Sequence, residues 1–124
     1  MNRRAALLVT GLAGFLGIAF GAFGAHALKG VLNQHHTREI WNTAVLYHLV
    51  HAPVLLLLAR GEIVNTAAFC CFALGILLFS GSLYALALTG IQSLGAVTPF
   101  GGLLLMSGWV LVAIGASHPE LSKK

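Results

Sequence analysis

Charge is what this sequence has least of. Only 8% of its 124 residues are Asp, Glu, Lys or Arg, where a soluble domain carries roughly 25%. So few charges cannot clothe a water-facing surface, and 58% of the chain is hydrophobic, with a mean hydropathy of +0.90. A water-soluble enzyme is excluded. So is a nucleic-acid partner, despite a pI near 9.6. Seven basic against three acidic residues leave a net charge of +4, with no cluster that could follow a phosphate backbone. Carboxylates are scarcer still: Glu39, Glu62 and Glu120 all lie outside the apolar stretches. Small four-helix antiporters exchange protons for cations through a membrane-embedded carboxylate, so that mechanism is excluded too. Of cysteines there are two, Cys70 and Cys71. Adjacent residues on a helix point about 100° apart, so these read as small apolar side chains rather than a disulfide.

What is present is four charge-free apolar stretches, at 5–28, 40–59, 63–89 and 97–117. Each reaches or exceeds the ~20 residues a helix needs to cross a bilayer core, and lipid cannot satisfy the edges of an open sheet. The breakers Lys29-Gly30, Arg60-Gly61-Glu62, Gly90, Pro99 and His118-Pro119 mark the ends of the stretches. With short second and third connections, the expected fold is an all-α integral membrane protein. It is a single domain, an up-down-up-down bundle of four transmembrane helices whose surroundings are the lipid bilayer. Arg3, Arg4, Arg60, Lys123 and Lys124 fall at one end of that bundle, and only Lys29 and Arg38 at the other. The positive-inside rule then puts both termini in the cytoplasm and the 29–39 connection outside as a solvated loop. Arg3-Arg4 and the Ala25-His26-Ala27 triplet resemble a signal peptide, but the apolar run between them is longer than the 7–15 residues of a signal core. It reads as an uncleaved span.

Glycine, with 15 residues, carries the packing information. Gly14, Gly17, Gly21 and Gly24 fall within about 80° of arc on the first helix, with Gly17 and Gly21 at the small-x-x-x-small spacing of closely packed membrane helices. Gly101, Gly108 and Gly115 recur every seven residues on the fourth helix, a stripe about 40° wide. Both stripes are expected to pack helices, inside the bundle or between copies.

The polar groups within the spans form a candidate layer. His48 and His51 lie roughly 12 and 16 Å from the outer end of the second span. They share a face with Trp41, Ala44, Ala52 and Leu55, which should turn into the bundle because a polar side chain there seeks protein partners. Ser80, Ser82 and Ser107 are at similar depth on other spans, and Tyr84 is nearer the exterior. The outer half of the bundle is therefore read as a layer of histidines, hydroxyls and glycines. Haem would need histidines at matched depth on two helices, and His26 lies some 9 Å shallower than His48. A metal would need further Cys, Asp or Glu at the level of His48 and His51. No cofactor and no metal is expected. The leading role for these histidines is to hold helix register through hydrogen bonds, with a proton relay as the alternative. His35 and Glu39 share a face if the second helix starts early, where they could hold a surface metal. Pro53 is expected to kink the second helix just past His51, freeing the carbonyl of Leu49.

Several of these residues also fall into a known pattern. Gly21-Ala22-Phe23-Gly24-Ala25-His26 resembles the hallmark of the YgdD/YwdK-like small inner-membrane proteins, a domain-of-unknown-function family. The resemblance continues through Thr43, Tyr47-x-x-x-His51, Leu78-Phe79-Ser80-Gly81-Ser82-Leu83-Tyr84, Thr98-Pro99-x-Gly101-Gly102 and Gly108-Trp109. It implies a four-span bacterial inner-membrane protein with no established activity. It also favours His26, Tyr47 and His51, which lie on the pattern, over His48, which does not. The expected function is a non-enzymatic structural or accessory component of a homo-oligomer or larger membrane protein complex. The alternative is a permease-like or lipid-binding protein that uses the polar layer.

Overall fold

A computed structural model describes residues 1–62 and 64–117. The described chain is helical, and four of its helices are long and apolar enough to cross a membrane. Helix α1 (Arg3–Ala25) starts where the side chain of Asn2 accepts from the amide of Arg4 at 2.8 Å, satisfying one of the amides a helix leaves free at its start. A seven-residue helix α2 (Lys29–His35) follows, then α3 (Arg38–Arg60) and α4 (Thr66–Thr89). Asn65 caps α4 as Asn2 caps α1. A 3-10 turn (Gln92–Ala96) leads into α5 (Thr98–Ser117), with Pro99 in the first turn, where no partner awaits its missing N–H. Ile63, at which the third apolar stretch was expected to begin, and the residues 118–124, with Lys123 and Lys124, lie outside the described residues.

The first connection is a helix, not the expected loop. Residues 29–35 close into α2, which ends where His36 takes the left-handed conformation (φ 56°) and the Thr37 amide reaches back to the Leu32 carbonyl at 3.0 Å. Leu32 gives this short helix its one buried contact, against Trp41, Tyr84 and Ala87. The hydroxyl of Thr37 donates to the Ala87 carbonyl at 2.7 Å, which fastens the turn to α4. His35 therefore ends one helix and Glu39 opens the next, so the two do not share a helix face. Opposite His35, α4 stops at Gly90 (φ 71°). Glycine adopts that backbone without penalty, and a Cβ here would also come within 2.7 Å of His35 Nδ1.

The long helices alternate in direction. α3 and α4 pack together at the centre, α1 lies along α3, and α5 lies along α4. Burial follows that order: 33% and 39% of the most apolar windows of α3 and α4 are buried, against 17% in each flanking span. One apolar cluster, built on Ala6, Leu55, Ala59, Phe69, Phe72, Ile76 and Leu105, fills the end nearer the amino terminus. The other, with Leu32, Trp41, Ala44, Tyr84 and Ala87, fills the opposite end. Between the clusters lie the buried side chains of His48, His51 and Ser80. α3 runs unbroken from Arg38 to Arg60 with Pro53 inside it.

Candidate functional site: two histidine nodes at mid-depth

α3 turns the expected face inward. Trp41, Ala44, His48, His51, Ala52 and Leu55 are all buried. Residue 49 is the midpoint of α3, and the two histidines lie on either side of it. Spaced three apart, they diverge by about 60° on the helix, so each reaches a different flanking span.

His48 ties three helices. Its Nε2 lies 2.8 Å from the Ala13 carbonyl on α1, and its Nδ1 lies 2.9 Å from the Tyr84 hydroxyl on α4. A carbonyl only accepts, so Nε2 carries the hydrogen, and in the neutral ring Nδ1 accepts from the tyrosine O–H. Around this pair Phe20 meets Tyr84 edge-on with ring centroids 4.8 Å apart, and Trp41 meets Tyr84 at 4.7 Å. Trp41 Nε1 donates to the Phe20 carbonyl at 2.9 Å. Its indole occupies the space that a Cβ on Gly24 would need.

His51 ties α3 to α5 with the opposite tautomer. Its Nδ1 donates to the Tyr47 carbonyl, one turn back, at 2.7 Å, and Nε2 accepts from Trp109 Nε1 at 3.3 Å. Phe72 packs against both, 5.7 Å from the His51 ring and 5.3 Å from the Trp109 indole, centroid to centroid. Ser80 joins α4 to α3 by donating to the Ala44 carbonyl at 2.7 Å. Ser82 donates to Phe79 O at 3.0 Å, which leaves Thr98 as the donor in the 2.6 Å contact between the two hydroxyls and links α4 to α5. Every buried side-chain nitrogen or oxygen among the described residues has a partner.

Three residues of the expected layer stand apart from it. His26 is exposed at the end of α1, because the helix closes at Ala25 and leaves the ring beyond its last turn. Ser107 is exposed and donates to the Leu103 carbonyl of its own helix at 2.8 Å. Tyr47 is 41% exposed, its ring against Phe79 and stacked on His51, and its part in the node is its carbonyl. His48, which lies off the family pattern, is buried and joins three helices, whereas His26, which lies on it, is exposed. Among the described residues, no three His, Cys, Asp or Glu side chains gather as metal ligands.

The glycines divide in the same way. A Cβ at Gly17 would meet Leu49 at 2.6 Å, one at Gly108 would meet the Phe72 ring at 2.9 Å, and one at Gly101 would run into the backbone of Phe79. A Cβ at Gly21 would be in ordinary contact with Val45 at 3.4 Å. Gly14 has nothing within 4 Å and Gly115 only Asn65 at 3.8 Å, so neither is a seam inside the bundle. Gly75, which belongs to neither stripe, is one: a Cβ there would lie 2.7 Å from Leu105 Cδ2 and 3.1 Å from its amide nitrogen. Trp109, Thr98 and Gly75 were not singled out by sequence reasoning for these roles. For Trp109 a signal existed, since an indole N–H on a span needs an acceptor and histidine is one of few.

The model for the family described as "Protein of unknown function (DUF423)" matches residues 20–102. The chain belongs to the DUF423 family. That match begins at Phe20 and contains His48, His51, Ser80, Tyr84 and Gly101. Among curated proteins, the chain is similar to UPF0382 membrane protein YwdK of Bacillus subtilis, 41% identical over 109 residues, covering 82% of this chain and 86% of the relative. It is similar also to UPF0382 membrane protein SAB0533 of Staphylococcus aureus, at 39% identity, and to SH2409 of Staphylococcus haemolyticus, at 41%. Each of these two covers 87% of this chain and 91% of the relative. No solved structure matches it significantly. With its four apolar helices and these relatives, this DUF423 chain is a multi-pass membrane protein of unknown biochemical function.

Proposed function

We propose that this protein is a non-enzymatic structural or accessory subunit of the bacterial inner membrane, with both termini in the cytoplasm. It associates through its flanking helices with a second copy of itself or with a larger membrane assembly. The observation that carries the reading is the engagement of the histidines: both ring nitrogens of His48 and of His51 are held in hydrogen bonds, and each ring bridges helices. Groups so engaged serve to set helix register and leave no free base for chemistry. The flanks supply the surface for association. α1 exposes Leu8, Leu12, Phe15 and Ile18, and α5 exposes Phe100, Met106 and Val110. The charge distribution between the two ends supports the orientation.

The test is disulfide cross-linking in native membranes. Cysteines placed singly at Phe15, Met106 or Val110, in a chain with Cys70 and Cys71 replaced by alanine, should give a discrete cross-linked species at one face. Monomer at every position, together with a monomeric protein free of partners after mild-detergent purification, overturns the reading.

One observation favours a second reading, a binding protein for an apolar small molecule or lipid. A groove of about 370 Å³ opens between α1 and α4, walled by Leu12, Leu16, Phe20 and Leu77 with His48 and Tyr84 among its lining. That volume falls in the range of ligand sites, which are mostly apolar with a few polar groups. Reconstituted vesicles distinguish the two: a bound or transported solute lost in Tyr84→Phe supports this reading over the first.

A further inference from the structure

A separate groove lies on the opposite side of α1, between α1 and α3. Its volume is about 400 Å³, and its lining includes Leu7, Gly11, Gly14, Ile18, Pro53 and Leu56. Gly11 and Gly14 have open space where a side chain would stand, so the groove exists because those two residues carry none.

One end of this groove is positively charged. The pairings Gly17–Leu49 and Gly21–Val45 set α1 against α3, and Arg3 donates to the carbonyls of Gly61 and Glu62 at 2.6 and 3.2 Å. Arg4 and Arg60 therefore stand at one level. Arg4 lies seven residues before Gly11 and Arg60 seven after Pro53, each about 20° from that lining residue around its helix. Unlike Arg3, neither has a hydrogen-bond or ion-pair partner for its guanidinium among the described residues, and both are exposed. Along α1 the lining ends at Ile18, about 21 Å from Arg4, and along α3 at Leu49, about 16 Å from Arg60, against a hydrocarbon core of ~30 Å. A groove that reaches past mid-core, apolar except for Thr10, whose hydroxyl donates to the Ala6 carbonyl, and headed by two free guanidiniums, has the form of one phospholipid.

We propose that the α1–α3 groove holds an anionic phospholipid, its phosphate between Arg4 and Arg60 and one acyl chain lying over Gly11 and Gly14. Planar guanidiniums match phosphate oxygens in paired hydrogen bonds. The site depends on neither reading of function above.

The test is native mass spectrometry of the full chain in mild detergent, loaded with phosphatidylglycerol or phosphatidylcholine. Phosphatidylglycerol should be retained in preference. The R4A/R60A variant should lose that retention by about thirtyfold, from the usual contribution of two basic residues at an anionic membrane surface. The G11L/G14L variant keeps every charge, and with it the orientation, yet should also lose the lipid because leucine fills the groove. Millimolar inorganic phosphate should not displace the lipid. Equal retention of both lipids, or unchanged retention in either variant, overturns the proposal. So does displacement by phosphate, which marks an anion site without a chain. Loss of a dimer in G11L/G14L with the lipid still bound overturns it as well, by assigning the groove to a second copy.

Discussion

Gly101, Gly108 and Gly115 occupy one stripe seven residues apart, yet the structure gives them three different surroundings, so alanine at each position tests the packing directly. A methyl group at Gly101 falls on the backbone nitrogen and Cα of Phe79, with the Leu78 carbonyl carbon at 2.8 Å. Backbone cannot rotate aside, so α5 must move off α4. At Gly108 the neighbour is the Phe72 ring at 2.9 Å, which can tilt, and at Gly115 it is the end of the Asn65 side chain at 3.8 Å. Overpacking costs about 1–3 kcal/mol, while alanine gains about 1 kcal/mol over glycine within a helix. Taking the upper end for backbone contact, Gly101→Ala should lose about 2 kcal/mol net, roughly thirtyfold in the unfolding equilibrium. Gly108→Ala should come out near zero, and Gly115→Ala unchanged or more stable. The assay is equilibrium unfolding in mixed micelles with increasing denaturing detergent, followed by circular dichroism. Gly101→Ala matching the wild type, or Gly115→Ala losing as much as Gly101→Ala, refutes the reasoning.

The histidine nodes make further predictions. Tyr84→Phe removes the donor to His48 Nδ1 and should cost about 1 kcal/mol, in the range of hydrogen bonds between membrane helices, whereas Ser107→Ala, whose hydroxyl serves only its own helix, should be silent in the same unfolding assay. Nitrogen-15 spectra of the imidazoles should show His48 as the Nε2–H tautomer and His51 as the Nδ1–H tautomer; matching tautomers would contradict the assigned bonds. Trp109→Phe should raise the exposure of the His51 ring and loosen α5, read as faster hydrogen exchange at the 98–117 amides. A cysteine at Gln34, in a background without Cys70 and Cys71, should react with a membrane-impermeant thiol reagent added outside intact cells; reaction only after lysis would reverse the proposed orientation.

Legibility differed by the kind of interaction involved. The inward face of α3 was readable because a 3.6-residue period acts on one helix alone, and Trp41, Ala44, His48, His51, Ala52 and Leu55 follow it. The polar layer was readable in part, since His48, His51, Ser80 and Tyr84 could be ranked by depth along their own helices. Ser107 went astray because depth says nothing of azimuth relative to a neighbour, and His26 because α1 closes at Ala25, one residue short of it. The helix at 29–35 was missed for a different reason: its stability comes from Leu32 docking against Trp41 and Tyr84 and from Thr37 bonding to Ala87, and the contacts to α4 reach across about fifty residues.

By itself, the sequence determined the solvent and the class. Charge too sparse for a water-facing surface, gathered outside four apolar runs of membrane length, leaves an all-helical membrane protein as the form in which every backbone group finds a partner without water. Those properties are additive along the chain. Which glycine is a seam, which histidine joins which helices, and which arginines stand free beside a groove were decided only in the tertiary structure. Each depends on the relative rotation of two helices, and that rotation is set by the fit of all their side chains at once.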